Sequence, residues 1–108
     1  MKGKAHEAPP RHLSADSKSF WRRIVAEYDL EEHHRRVLTA ACEAWDRMNA
    51  AGAAIRSGGL IVTDRFAQER AHPAVAIERD SRIAFIRALR ELDLEGESLP
   101  DPRPPRRS

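Results

Sequence analysis

The sequence holds one cysteine, Cys42, few aromatic residues, and no apolar run of membrane-spanning length. Each shortage removes a class of answers. One thiol permits neither an intrachain disulfide nor a thiolate metal cluster. Cys42 lies among Ala40, Ala41 and Ala44 in a helical pattern, where a small buried thiol is expected rather than a nucleophile. Without a membrane-length run or a signal-peptide core at the N-terminus, the expectation is a soluble chain in a reducing compartment with no membrane partner.

An excess of one charge sign is also missing. Charged residues make up 33% of the chain, but 19 Lys and Arg against 17 Asp and Glu leave a net charge of only +2. That balance describes a mixed-charge surface, not the one-signed face of a protein that coats nucleic acid as a monomer. A small positive bias counts for more when several copies sum their fields. Residues 1–30 hold most of it, with six Lys or Arg against four Asp or Glu.

No catalytic constellation stands out. Gly58-Gly59 has neither the spacing nor the lysine of a phosphate-binding loop, and the HExxH zinc pattern is absent. Glu31-Glu32 and His33-His34 are neighbours in sequence, and adjacent helical residues point well apart, so these are expected to diverge rather than share an ion. Asp64, Glu69, Glu78 and Asp80 offer carboxylates of the kind that hold magnesium. Each has an arginine one or two positions away (Arg65, Arg70, Arg79, Arg82), which favours ion pairing. His72 lacks a nucleophile and is expected to cap a helix or pack a turn. No metal, no cofactor and no enzymatic activity are expected, and a metal-dependent nuclease is the least favoured reading.

What is present is helix. Ser14 is placed to cap a first helix over 14–28, with Phe20, Trp21, Ile24, Val25 and Tyr28 on one stripe. A second helix over 31–57 opens on Glu31-Glu32 and stops at Gly58-Gly59. Its apolar seam is Leu38, Ala41, Trp45, Met48, Gly52 and Ile55, the alternation of a helix packed lengthwise on another. The small residues of AWDRMNAAGAAI permit close approach of a neighbouring backbone. A β-hairpin is expected over 60–71, led by Leu60-Ile61-Val62-Thr63 and turned at Asp64-Arg65, with a return strand near Phe66–Arg70. Pro73 then starts a third helix over 73–92. Ile77, Ala84, Phe85, Ala88, Leu89 and Leu92 make its core side, and Val75, Ile83 and Ile86 reach towards a second face. The fold class is therefore mainly α, three helices with one short hairpin between the second and third.

The ends are different in kind. Residues 1–12 and 96–108 hold six of the seven prolines and almost no large apolar side chains, which makes them disordered tails around a folded body over 13–95. Roughly eighty residues make a marginal core alone, so self-association is expected. The candidate oligomer-interface residues are Trp45, Met48, Ile55, Val75, Ile83 and Ile86. Lys18, Arg22, Arg23, Arg35 and Arg36 are the candidate DNA contacts, on a first and second helix that read as a helix-turn-helix pair. The extended basic arm PDPRPPRRS, with Arg103, Arg106 and Arg107, suits an acidic or phosphate-bearing partner.

The run HLSADSKSFWRRIVAEYDLEEHHRRVLTAACEAWDR, followed by GLIVTDRFAQERAHPAVAIERDSRIAFIRALRELDL, resembles the small terminase subunits of tailed double-stranded-DNA bacteriophages. The resemblance covers residues 11–95. Its most specific pieces are Trp21-x-x-Ile24-x-x-Glu27, the glycine-led strand and turn, and His72-Pro73-Ala74-Val75 with Arg79-Asp80 after it. Two features depart from the family pattern: Ala67 stands where members often have a turn glycine, and Glu69-Arg70-Ala71 replaces a segment that more often holds proline or lysine. The resemblance implies a non-catalytic, ring-forming packaging factor in the host bacterial cytoplasm. Such a factor binds viral double-stranded DNA and recruits or regulates the large terminase subunit, an ATPase and nuclease. On that reading Arg103, Arg106 and Arg107 dock on the large subunit. The alternative is a small dimeric helical DNA-binding regulator with no part in packaging.

Overall fold

The computed structural model describes residues 7–94. Three helices and one hairpin follow in the order α1 (Ala15–Glu27), α2 (Glu32–Gly58), β1 (Ile61–Thr63), β2 (Glu69–Ala71) and α3 (Pro73–Leu92). This is the expected mainly helical class, with the hairpin where the sequence puts it. The expected tail 96–108, with Arg103, Arg106 and Arg107, lies outside the described residues.

The helix ends follow local chemistry. Ser14 is the N-cap of α1, and its hydroxyl accepts from the Ser17 N–H at 3.1 Å. Glu31 caps α2 through a capping box with His34, and Gly59, at φ 83°, ends it in a region that side chains disfavour. His72 Nδ1 accepts from the Ala74 N–H at 3.0 Å, and Pro73 occupies the first turn of α3.

α2 is the spine. At 27 residues it is about 40 Å long, and α1 packs on its first half while α3 runs back along its length. The buried stripe of α2 is Leu38, Ala41, Cys42, Ala44, Ala51 and Gly52, and α3 answers with Ala74, Ser81 and Leu92. Small side chains on both sides let the two backbones come close. The expected seam shifts accordingly: Trp45, Met48 and Ile55 are only half-buried, and Cys42, Ala44 and Ala51 take the contact. On α3, Phe85, Ala88 and Leu89 are half-buried as the core side requires, but Ile77 and Ala84 are exposed. Those two sit on the edge of the stripe, beyond the reach of α2.

The larger core forms at the other end of the spine. Leu13, Trp21, Ile24, Val25 and Leu30 close over Leu38, Cys42 and Leu92, with Phe20, Tyr28 and Leu89 at its margin. Trp21 Nε1 donates to Thr39 Oγ1 at 3.2 Å, so the indole is buried without stranding its donor. Residues 7–12, expected as part of a tail, instead lie against the body. Pro9 is buried, Glu7 pairs with Arg35 at 3.4 Å, and His12 Nε2 meets Glu43 Oε2 at 2.7 Å. Those contacts hold a proline-rich segment that has little apolar surface of its own.

The hairpin pairs Ile61 with Ala71, Val62 with Arg70 and Thr63 with Glu69. Asp64 builds its turn, accepting from the N–H groups of Phe66 at 2.9 Å and Gln68 at 3.0 Å and pairing with Arg70. The return strand begins later than expected because Ala67 turns the chain at φ 61°, the left-handed region.

Candidate functional site

α1 presents two sets of cations. Lys18 and Arg22 are four residues apart and share one side of the helix, while Arg23 lies about 100° round from Arg22. Arg22 is exposed and Lys18 half-exposed, and neither forms an ion pair among the described residues. Arg23 turns instead towards Phe20, its guanidinium carbon 5.9 Å from the ring centroid. The α1 candidates therefore lie in two sets, Lys18 with Arg22, and Arg23 apart from them.

The second-helix candidates are engaged. Arg35 donates to the Leu30 carbonyl at 3.0 Å and pairs with Glu7, which fixes it across the α1–α2 connection. Arg36 pairs with Glu32 at 3.0 Å on an exposed i,i+4 edge. Such a surface pair is worth little and releases its arginine readily to a competing phosphate. α3 adds two cations that sequence reasoning missed. Arg87 and Arg90 are exposed and unpaired among the described residues, whereas Arg79 pairs with Asp80 at 3.1 Å and Arg82 with Glu78 at 3.6 Å. The net charge of residues 58–95 is near balance, and only the placement of the pairs shows which arginines are left.

The apolar candidates also divide. Trp45 stacks on Phe85 of its own chain, with ring centroids 5.0 Å apart, and its indole N–H donates to Asp16 Oδ2 at 2.8 Å. Met48, Ile55 and Val75 are half-buried. Ile83 and Ile86 stay 42% and 45% exposed on the outer face of α3. Three hairpin residues join them as exposed large hydrophobics, Leu60, Ile61 and Phe66, the last 68% exposed at the turn. An isolated two-stranded hairpin is marginal in water, and this one has little cover.

A groove opens between α1, the middle of α2 and α3. Phe20, Trp45 and Phe85 wall a cavity of about 230 Å³, with Asp16, Ser19 and Arg23 at its rim. Beneath it Cys42 is 1% exposed, and burial pushes its thiol up to about 11, against an assisting hydrogen bond from Ser17. A thiol so protonated is a packing group, as its alanine-rich surroundings suggest.

One expectation is overturned. Glu31, His33 and His34 are expected from helical spacing to diverge, yet their ligand-type atoms lie within 4.8 Å of one another. Glu31 is the N-cap, with extended backbone at φ −81° and ψ 170°, so the spacing rule for helical neighbours does not govern it. Its backbone N–H reaches His34 Nδ1 at 3.4 Å, and its carboxylate lies 3.6 Å from His33 Nδ1. His33 and His34 both lie within α2, and their rings still approach to 4.1 Å between centroids. Of the carboxylates expected to pair with an arginine one or two positions away, Asp80 does so with Arg79, while Asp64 pairs with Arg70 rather than Arg65, Glu78 with Arg82 rather than Arg79, and Glu69 has no ion pair among the described residues.

No helix among the described residues is long and apolar enough to cross a membrane. Compared with known proteins, residues 17–99 match a family model described as phage terminase, small subunit. No match was found among curated proteins or solved structures.

Proposed function

The chain belongs to the phage terminase small-subunit family, and from that premise we propose that it is a non-catalytic DNA-packaging factor that works as a closed homo-oligomer. The match spans nearly all of α1, then α2, the hairpin and α3, so the helical body falls inside it. Membership gives a role in viral genome packaging. The finer reading is that copies of the chain form a ring, bind viral double-stranded DNA, and recruit or regulate the large terminase subunit in the host cytoplasm.

The observation that carries the reading is the set of unpaired cations on a body with uncovered apolar surface. Lys18 and Arg22 on α1, with Arg23 beside them, are the proposed phosphate contacts, and Arg36 joins them when its weak pair with Glu32 opens. Arg35 supports the α1–α2 connection and contributes through its charge. A handful of phosphate contacts gives weak, salt-sensitive binding from one copy. Several copies multiply it. Ile83 and Ile86, with Val75 behind them, make the proposed subunit contact on α3, and Trp45, Met48 and Ile55 hold α2 in the shape that contact needs. The arm with Arg103, Arg106 and Arg107 is proposed to dock on the large subunit.

The test is binding of the purified protein to its own packaging-site duplex across a salt series. Tight binding that falls steeply with salt and requires Lys18 and Arg22 supports the reading; binding unchanged after both charges are reversed removes those residues from it.

A further inference from the structure

The hairpin turn and the aromatic groove are complementary, and we propose that they are the two halves of one contact: Phe66 of each copy inserts between Phe20, Trp45 and Phe85 of the next. This rests on the self-association reading above and says which surfaces meet. Phe66 is the most exposed large hydrophobic residue among those described, held out at a turn that Asp64 rigidifies with two backbone hydrogen bonds and an ion pair to Arg70. A rigid aromatic knob loses little freedom on insertion.

The groove fits it in size, lining and charge. Its volume of about 230 Å³ exceeds the roughly 150 Å³ of a cavity known to take benzene, so the groove has room for a phenyl ring. Three aromatic side chains line it, and tilted ring packing of the kind Trp45 and Phe85 already show extends to a fourth ring. Arg65 lies over the Phe66 ring at 4.9 Å and travels with it. At the groove rim Asp16, whose Oδ2 accepts from Trp45, offers the opposite charge, and Arg23, the cation on the same rim, is turned over the Phe20 ring.

The same chain cannot make this contact. The groove meets α2 near Trp45 and the hairpin follows Gly58, so the two lie about 20 Å apart along the helix. The occupant is therefore a second copy. Because knob and groove are different patches, the contact is head-to-tail, which builds rings or filaments instead of a two-fold dimer.

The experiment compares the native masses of wild type, Phe66→Ala and Ser19→Trp, and of a mixture of the two variants. Phe66 and Ser19 are both exposed, so circular dichroism melts should match wild type; Ser19→Trp overhangs the groove without altering the core. Loss of a central aromatic anchor is expected to weaken self-association about thirtyfold or more, so that each variant runs as a monomer at concentrations where wild type assembles. The mixture should give a one-to-one dimer, since one variant keeps an intact groove and the other an intact knob. A Phe66→Ala particle of wild-type mass overturns the proposal and leaves self-association standing. The proposal is equally overturned if that variant keeps its mass and loses only its binding to the large subunit, which would assign the knob to that partner. A monomeric wild type overturns both.

Discussion

The Asp46 carboxylate on α2 accepts the backbone N–H of Ser14 at 2.8 Å and the Ser14 hydroxyl at 2.6 Å, across thirty-two positions of sequence. It also accepts from the buried Ser17 hydroxyl at 2.7 Å. Ser14 caps α1, so Asp46 caps the cap. The first helix is anchored to the spine at the point where its backbone donors would otherwise be open.

Asp46→Ala should therefore loosen α1 as a unit. Removing the cap support and its hydrogen bonds to a charged group is expected to cost about 1–2 kcal/mol, read as a lower denaturant midpoint. The pH dependence follows. Burial by itself raises the Asp46 carboxyl, but the Ser14 hydroxyl, the Ser14 N–H, the Ser17 hydroxyl and nearby His12 outweigh it and hold the group below the usual 3.8. A carboxyl lowered in the fold stabilises above its unfolded pKa, and that contribution is lost as pH falls through the lowered value. Wild type should lose stability below about pH 4 more steeply than Asp46→Asn.

Cys42 has the opposite sign. Its thiol moves from 9.0 to about 11 on folding, chiefly through burial. A group raised in the fold contributes fully below its unfolded pKa and loses that contribution as pH rises through the folded one. Melting temperature should therefore decline between about pH 9 and pH 11 more in wild type than in Cys42→Ala. Thiol reagents should label Cys42 slowly at neutral pH and quickly once denaturant unfolds the chain.

The two strained positions of the hairpin connection predict opposite outcomes. Ala67 has φ 61°, where a Cβ carries a steric cost, so Ala67→Gly should stabilise by up to about 1 kcal/mol. Gly59 has φ 83°, and a Cβ there would meet nothing within 4 Å. Gly59→Ala therefore acts through backbone strain alone and should destabilise by about 1 kcal/mol or more. Thermal melts of the two variants check both signs.

Charge reversal at Lys18 and Arg22 should weaken DNA binding and flatten its salt dependence, by about 0.9 in the log–log slope for each phosphate no longer neutralised. Reversal at Arg79, which is paired with Asp80, should change the slope less. A truncation after Leu94 should leave the helical melt intact and reduce stimulation of the large subunit's ATPase.

The parts of the fold that local chemistry controls are legible in the sequence. Ser14, Gly59, Asp64 and His72-Pro73 each set a backbone angle or satisfy a nearby N–H, and each sits where its residue type suggests. What stays hidden depends on distant partners. Nothing near Asp46 reveals that it reaches Ser14, and nothing near Trp45 reveals Phe85 or Asp16. Periodicity defines the faces of α3 but not how far α2 covers them, which is why Ile77 belongs to the core side by spacing and is exposed in the fold. Helical spacing also misjudges Glu31, because a capping residue does not follow helical geometry. Spacing alone separates Arg23 from Lys18 and Arg22, but the turn of its guanidinium over Phe20 is seen only in the fold.

Self-association stands at the centre of the proposed function, in which several copies multiply weak single-copy contacts and cover the exposed Ile83 and Ile86 of α3. The native mass of the purified full chain at tens of micromolar tests it most directly. A single closed species larger than a dimer is predicted; a well-folded monomer at that concentration would contradict the account.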